Sequence, residues 1–503
     1  MFKRTIMSDS HIRYEQMVAA TEALWRERER LGSGPSFRLR EPPVGQRRQG
    51  GRDGSQPALP LVGAEPLPGE LELQSRWFAG EFGQNFVTTC GRSVEIVQFG
   101  VWNREAGPDF LEAAIRLEEG PVEKGAIELD LLATGWETHG HSRNQAFDGV
   151  RLHLFVQGPE AAFFTRTSGN RFVPQVQLDL TSLPGTVAPP MDAPKAHLGR
   201  CATPLLELGE KRVENLLHAA ARHRLLRKAA KMRTTAKLHG RAQAVFEGLA
   251  STLGYRENKL GFTLLAQRFP LKVLREMPLS AEALLFGAAG FLGQSDLSKL
   301  PDDTRTYLRS LWQEWWPHRA ACERIMRDMP PWSLGGQRPV NHPQRRLAAL
   351  SILAKEWKRL AKLLDGAQPE RIYRFFTEDL EHPYWNHHYT LTSAATARPM
   401  ALIGESRVAD MLANIIYPWL IGENPQVWES YADLRSKMNN SKLEIASARL
   451  FGDDPATDGP GRAKRHLRTL AGQQGLLQIY EDFCLQDCSN CTDCPFPEQL
   501  RQW

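Results

Sequence analysis

VWNREAGPDFLEAAIRLEEGPVEKGAIELDLLATGWETHGHSRNQAFDGVRLHLFV, residues 101–156, holds most of the chain's carboxylate and histidine chemistry in one run. Asp109 follows a Gly-Pro turn and opens the alternating run Phe110–Leu117, which places it at the mouth of a strand. Glu128 and Asp130 come nineteen and twenty-one positions later, inside the second strand-like run GAIELDLLA. Residues i and i+2 of a strand share a face, so these two acids project together. A hairpin between the two strands brings Asp109 to them. Three converging carboxylates repel one another, and a hard divalent cation with oxygen ligands, Mg²⁺ or Mn²⁺, relieves that repulsion. The plainer alternative is a solvated strand face. His139 and His141 follow in WETHGHSRN and His153 lies on the next strand, three histidines within fifteen positions. A lone histidine is most often a satisfied structural residue, whereas three beside paired acids point to a site with a proton carrier.

The surrounding elements have a definite order. A helix-like segment at 70–82 precedes strand candidates at 93–99, 110–117 and 125–132. A polar helix-like segment at 142–147 then leads to a fourth strand at 150–157. This α-β-β-β-α-β order resembles the core of the PD-(D/E)XK nuclease superfamily. There a Pro-Asp on one strand and an acid-X-Lys on the next hold a metal and activate water. Pro108-Asp109 matches the first element and Glu128-Leu129-Asp130 the second, with Asp130 standing where the superfamily has Lys. Asp cannot offset developing negative charge, so another cation has to reach in, and Lys124, His139, His141 and His153 are the local candidates. Glu70 or Glu72 corresponds to the extra helical acid of many members.

Around this core, 503 residues suffice for two or three domains with sizeable cores. A formal charge of +5 and a pI near 8.8 permit a nucleic-acid partner without requiring one. No run of eighteen apolar residues suggests a membrane span, and the start lacks the apolar stretch of a signal peptide. With seven cysteines and no export signal, a reducing cytoplasm is the expected location.

Residues 10–31 have helical spacing, and 32–69 are rich in Gly, Pro, Arg and Gln, which reads as a flexible basic linker or a nucleic-acid-contacting arm. A strand candidate at 172–180 and a Pro-rich connector close the core, and from Cys201 onward the pattern is helical. Residues 211–237 carry nine Lys or Arg against the single acid Glu214. Such a face is a solvated surface or a phosphate grip built from Arg222, Arg224, Arg227, Lys228 and Lys231. Arg345 and Arg346 open another helix beside a polar turn. They suit either forked phosphate binding or burial against acids such as Asp379 or Glu381.

AGPDF, GAIELD, the W-x-x-H-x-H run Trp136–His141, VRLHLFV, EALLFGAAGFL, RPVNHPQRRLAAL and GESRVADMLANIIYPWL occur together and in order. From about Leu71 onward the chain therefore resembles the bacterial domain-of-unknown-function family 2851. That likeness implies a domain layout and no activity. The expected architecture is α+β: a PD-(D/E)XK nuclease-like αβββαβ core at 70–197, after an N-terminal helix and linker at 1–69. A mostly α-helical C-terminal domain at 198–480 and a Cys-rich tail at 481–503 complete it.

The tail carries Cys484-x₃-Cys488-x₂-Cys491-x₂-Cys494-Pro495. Four thiols this close in a reduced chain are expected to hold a structural iron–sulfur cluster or Zn²⁺. The alternatives are free surface thiols and, poorly placed so near the end, a radical S-adenosylmethionine motif. Three functional classes follow. The first is a metal-dependent nuclease with Asp109, Glu128 and Asp130 as ligands. The second is a nucleic-acid-binding protein on an inactive nuclease core, and the third a structural or partner-binding protein.

Overall fold

Phe110, Ile115, Ile127, Leu129, Leu152 and Leu154 are all fully or almost fully buried, and they sit on one side of a mixed sheet. The computed structural model describes residues 9–32, 69–103, 107–158, 163–180, 196–255, 257–293, 300–334, 339–436, 441–452, 461–487 and 491–503. Its elements begin with helices α1 (Asp9–Gly32) and α2 (Glu70–Phe78). Strands β1 (Asn85–Val87), β2 (Ser93–Gln98), β3 (Val101–Trp102), β4 (Phe110–Leu117) and β5 (Val122–Leu132) follow. After the short helix α3 (Gly135–Thr138) come β6 (Val150–Gln157), β7 (Thr165–Arg166), β8 (Phe172–Val173) and β9 (Gln175–Gln177). The sheet order is β1-β2-β4-β5-β6-β9, with β3 also paired to β4. β4 and β5 form the antiparallel hairpin, while β5–β6 and β6–β9 run parallel.

One extra residue in β4 fixes what the sheet presents. Phe110 pairs with Ile127 and Ala113 with Gly125, so three steps on β4 oppose two on β5, and Glu112 takes a φ of 57° inside the resulting bulge. With a side-chain period of two, the bulge keeps Phe110, Ala113 and Ile115 all on the apolar side. Leu73, Trp77 and Phe78 of α2 cover that side. The opposite side carries Glu128 and Asp130, roofed by a smaller cluster around Trp136, Phe147 and Val173.

The polar helix expected over 142–147 is corrected to α3 and two 3₁₀ turns, His141–Arg143 and Gln145–Phe147. Gly140 at φ 76° and Asn144, whose side chain accepts from Ala146 N, interrupt any continuous helix.

The chain forms two compact units that meet in sequence at His197 and Leu198. Gln16–His197 with Leu485–Phe496 forms the sheet-bearing unit, and Met1–Glu15, Leu198–Cys484 and Pro497–Trp503 form the helical one. The cysteine segment is thus no tail on the helical domain, since Asp487 O accepts from Gln98 and Leu485 O from Lys124. Cys484 ends a π-helical turn in the helical unit, Cys491 and Cys494 lie in Leu485–Phe496, and Cys488 falls outside the described residues. Most of the expected linker at 32–69 lies outside them as well.

The helical unit begins with α4 (Ala202–Glu207), α5 (Glu210–His239) and α6 (Arg241–Leu253). Its core admits Trp315 only because Gly287 has no side chain, since a Cβ there would lie 2.1 Å from the indole. Three of the five basic residues expected to form a phosphate grip on α5 have hydrogen-bond or stacking partners within the protein. Arg224 donates to Gln474, Gln478 and Glu481, and Lys228 to Asn414 and Gln474. Arg222 stacks over Trp428 at 4.7 Å. Arg227 and Lys231 remain exposed. Arg345 and Arg346 are buried, and neither meets the acids expected of it, Asp379 being paired with Arg359. Arg346 donates to Tyr255 and Asn341. Arg345 donates to the carbonyls of Trp385, His388, Met400 and Ala401, tying that irregular segment to its helix. Among the described residues no helix is long and apolar enough to cross a membrane.

Removing the Arg345 guanidinium strands the buried carbonyls of Trp385 and His388 and unties the part-buried ones of Met400 and Ala401. Arg345→Ala is therefore expected to destabilise the helical unit by about 3–5 kcal/mol, and Arg345→Lys to recover less than half of that, lacking the fork. Urea unfolding followed by tryptophan fluorescence measures it. An unchanged midpoint for Arg345→Ala would show the network to be dispensable.

Candidate metal centre

Asp109 is held in place by the strand that follows it. Its Oδ2 accepts from Leu129 N at 3.0 Å, and its own N–H donates to Glu128 Oε2 at 3.0 Å, so the two acids are locked across the hairpin. Gln74 of α2 donates to Asp109 Oδ1 at 2.8 Å, while its Oε1 accepts from Trp102 Nε1 at 3.1 Å. Burial and the Glu128 charge push the Asp109 carboxyl up to about 8, against the pull of the Leu129 N–H. Burial and the Asp130 charge push Glu128 up to about 9. Each value says that negative charge here lacks compensation from the protein alone.

Asp130 is 1% exposed and sits between two imidazoles. His153 Nε2 is 3.0 Å from Oδ2, and His139 Nδ1 is 2.9 Å from Oδ1. The His153 tautomer follows from the network. Asp130, as a carboxylate, can only accept, so His153 Nε2–H donates to it, and in the neutral ring Nδ1 then accepts from Thr165 Oγ1 at 2.8 Å, which itself accepts from Gln175 Nε2 at 2.8 Å. Both nitrogens of His153 are engaged and its side chain has no exposed surface, so it faces Asp130 and Thr165 from behind the cluster. Gly135 is required nearby, because a Cβ on it would lie 2.5 Å from Asp130 Oδ1.

His141 is different. It stacks on Phe147 with centroids 3.8 Å apart and meets the edge of Trp136, whose Nε1 anchors the segment through Arg166 O. Its Nε2 stands 3.1 Å from Glu128 Oε1 but off the hydrogen-bond line. Neither ring nitrogen makes a hydrogen bond among the described residues, although both are buried. Burial lowers its pKa despite the neighbouring acids, which favours the neutral imidazole that metals bind. Donor atoms of Asp130, His139 and His141 lie within 4.8 Å of one another. His139 is the exposed member, with half of its side chain open to solvent.

The hairpin and its roof thus gather Asp109, Glu128, Asp130, His139 and His141 at one place, with His153 behind Asp130. Lys124 is not there, since its Nζ donates to Leu485 O. Of the two helical acids, Glu70 faces the cluster, accepting from Gln74 at 3.4 Å with its pKa raised by burial and then by the Asp130 charge, whereas Glu72 pairs with Arg76. Gln74, Thr165 and Gln175 were not anticipated. Only the Glu70-x₃-Gln74 spacing on α2 signalled one of them. The donor set, carboxylates joined by an imidazole with unused nitrogens, fits a divalent cation that accepts both oxygen and nitrogen.

Comparison with curated proteins and with solved structures returned no match in either case. A family model described as "Protein of unknown function (DUF2851)" matches residues 70–439, which include every residue of the cluster, and the chain belongs to that family.

Proposed function

We propose that the protein is a metal-dependent nuclease-like hydrolase of phosphodiester bonds in nucleic acid. The observation that carries this reading is the convergence of Asp109, Glu128, Asp130, His139 and His141 at one face of β5, with an imidazole whose nitrogens have no other use. The succession of α2, the β2-β4-β5 meander and a returning parallel β6 supports it, because it parallels the αβββαβ nuclease core. Asp109, Glu128 and His141 would hold the cation with Asp130 closing the set. Imidazole among the donors favours Mn²⁺ over Mg²⁺. When bound, the cation supplies positive charge for the phosphoryl oxygens and lowers the pKa of water.

The chain's own residues do the rest. Asp130 takes the position of the superfamily's Lys, and here it orients His139 through Nδ1. Half-exposed, His139 then has Nε2 as its basic atom, an Asp-His pairing suited to moving a proton to or from the reacting water. His153 and Thr165 keep Asp130 aimed. Arg227 and Lys231, exposed on α5 along with Lys211, Arg212, Arg233 and Lys237, are candidates for phosphate contacts. The second reading, a nucleic-acid-binding protein on an inactive core, is favoured by the same Asp130, since no lysine replaces the lost charge.

Calorimetric titration of Mn²⁺ into the full-length protein is expected to show binding that Asp109→Ala weakens or abolishes. Equal binding by both proteins would remove Asp109 from the site. Gly135→Ala, which moves Asp130 without touching any donor, is expected to cost about 10–100-fold in Mn²⁺ affinity, as for other supporting residues.

Mn²⁺-dependent cleavage should appear for at least one of single- and double-stranded DNA and RNA. Glu128→Gln keeps an acceptor for Asp109 N–H but loses the charge, so it should lose cleavage while retaining its circular dichroism, and Glu128→Ala should lose cleavage too. Intact substrates across the whole panel with Mn²⁺ and Mg²⁺ would leave the inactive-core reading standing.

A further inference from the structure

A second group of metal-competent side chains lies in the helical unit, far in sequence from the acidic cluster. His11 and Glu15 are one turn apart on α1, so they share a face, and His223 comes from α5. His11 Nε2 is 3.4 Å from Glu15 Oε1, and His223 Nδ1 is 3.5 Å from the same oxygen. One donor atom from each of the three residues falls within 4.8 Å of the others. His11 is 1% exposed and His223 and Glu15 are partly covered.

We propose that His11, Glu15 and His223 form a zinc site that fastens the N-terminal helix to α5. The spacing supports a metal over a simple ion pair. An N–H···O bond settles near 2.9–3.0 Å, and both contacts here are longer. Four ligands around Zn²⁺ at about 2.0–2.1 Å stand about 3.3–3.4 Å apart along the edges of a tetrahedron, which matches both contacts. Two imidazoles with one carboxylate are an established zinc donor set, with the fourth position left to water. Tyr14, on the same helix, donates to Asp482 Oδ2 at 2.8 Å and packs edge-on against Phe483, so the helix is already seated where the three donors meet. Asp482 lies near His223 with its Oδ1 3.7 Å from Arg227, and Arg222 is stacked on Trp428.

The test uses full-length protein stripped with EDTA, dialysed, and titrated calorimetrically with Zn²⁺ alone. Wild type is expected to bind one more Zn²⁺ per chain than His223→Ala, or to bind it more than about 100-fold tighter, a loss exceeding that of an outer-shell residue. Glu15→Gln preserves shape and helix propensity and should show the same loss, which covers the case of a misfolded His223→Ala. Asp109→Ala separates the two centres, because it should leave this Zn²⁺ in place. Zn²⁺ should also slow proteolysis within α1 in wild type and not in Glu15→Gln. Equal stoichiometry and affinity for wild type and Glu15→Gln would overturn the proposal, and so would equal protection of α1 in the two proteins.

Discussion

Burial of the Asp130 carboxylate is the constraint on which the sheet-bearing unit depends. A carboxylate at 1% exposure has lost nearly all its water, at a cost of several kcal/mol unless donors replace it. The donors here are His153 from β6 and His139 from the turn after α3. For His153 to arrive, β6 must return parallel to β5 with Glu128 and His153 in register. For His139 to arrive, the chain must double back at once after β5, through a glycine at 135 because any larger residue would strike Asp130. One buried charge thus dictates a strand direction, a register and a turn residue.

Strand β5 is buried on both faces, and the two faces are unlike. Ile127 and Leu129 enter the apolar layer under α2, while Glu128 and Asp130 enter a polar layer roofed by Trp136 and Phe147. A polar strand face is ordinarily left to solvent, which needs no partners. Covering it with aromatic rings raises the local cost of charge, and the raised Asp109 and Glu128 carboxyls report that cost. Trp136 and Phe147 therefore do more than pack. They hold His141 against the acids by ring contacts, which fixes the ring without consuming its nitrogens.

Legibility in the sequence followed how local the determining physics was. β4 and β6 have the ends the sequence predicts, since both are short runs of apolar and β-branched residues bounded by glycine or proline turns. The convergence of Asp109 with Glu128 and Asp130 was readable because i, i+2 spacing and a hairpin suffice for it. The bulge at Glu112 was hidden, as FLEAAIRL contains no glycine at the bulged position. Thr165 and Gln175 support His153 from two short strands whose pairing depends on tertiary contact, so no local pattern marks them. The arginines misled for a related reason. A count of basic residues reads charge, whereas Arg345 and Lys228 are placed by carbonyl and amide oxygens of distant segments, which a count cannot see.

On the nuclease-like reading proposed above, Asp130 in place of a lysine is the feature that most changes the chemistry open to the site. A lysine would bring a fixed positive charge on a flexible stem and would neutralise one of the acids. This chain brings a further negative charge and three imidazoles instead, with Glu70 adding a fourth acid at the edge. His153 is committed to Asp130, and burial works against positive charge on His141. The deficit of positive charge is therefore larger than in a lysine-bearing site, and so is the gain from any cation that enters. The imidazoles, not Asp130, bring nitrogen to the proposed donor set. A site built this way would be weak toward ions that insist on oxygen and water, and would favour those that accept imidazole.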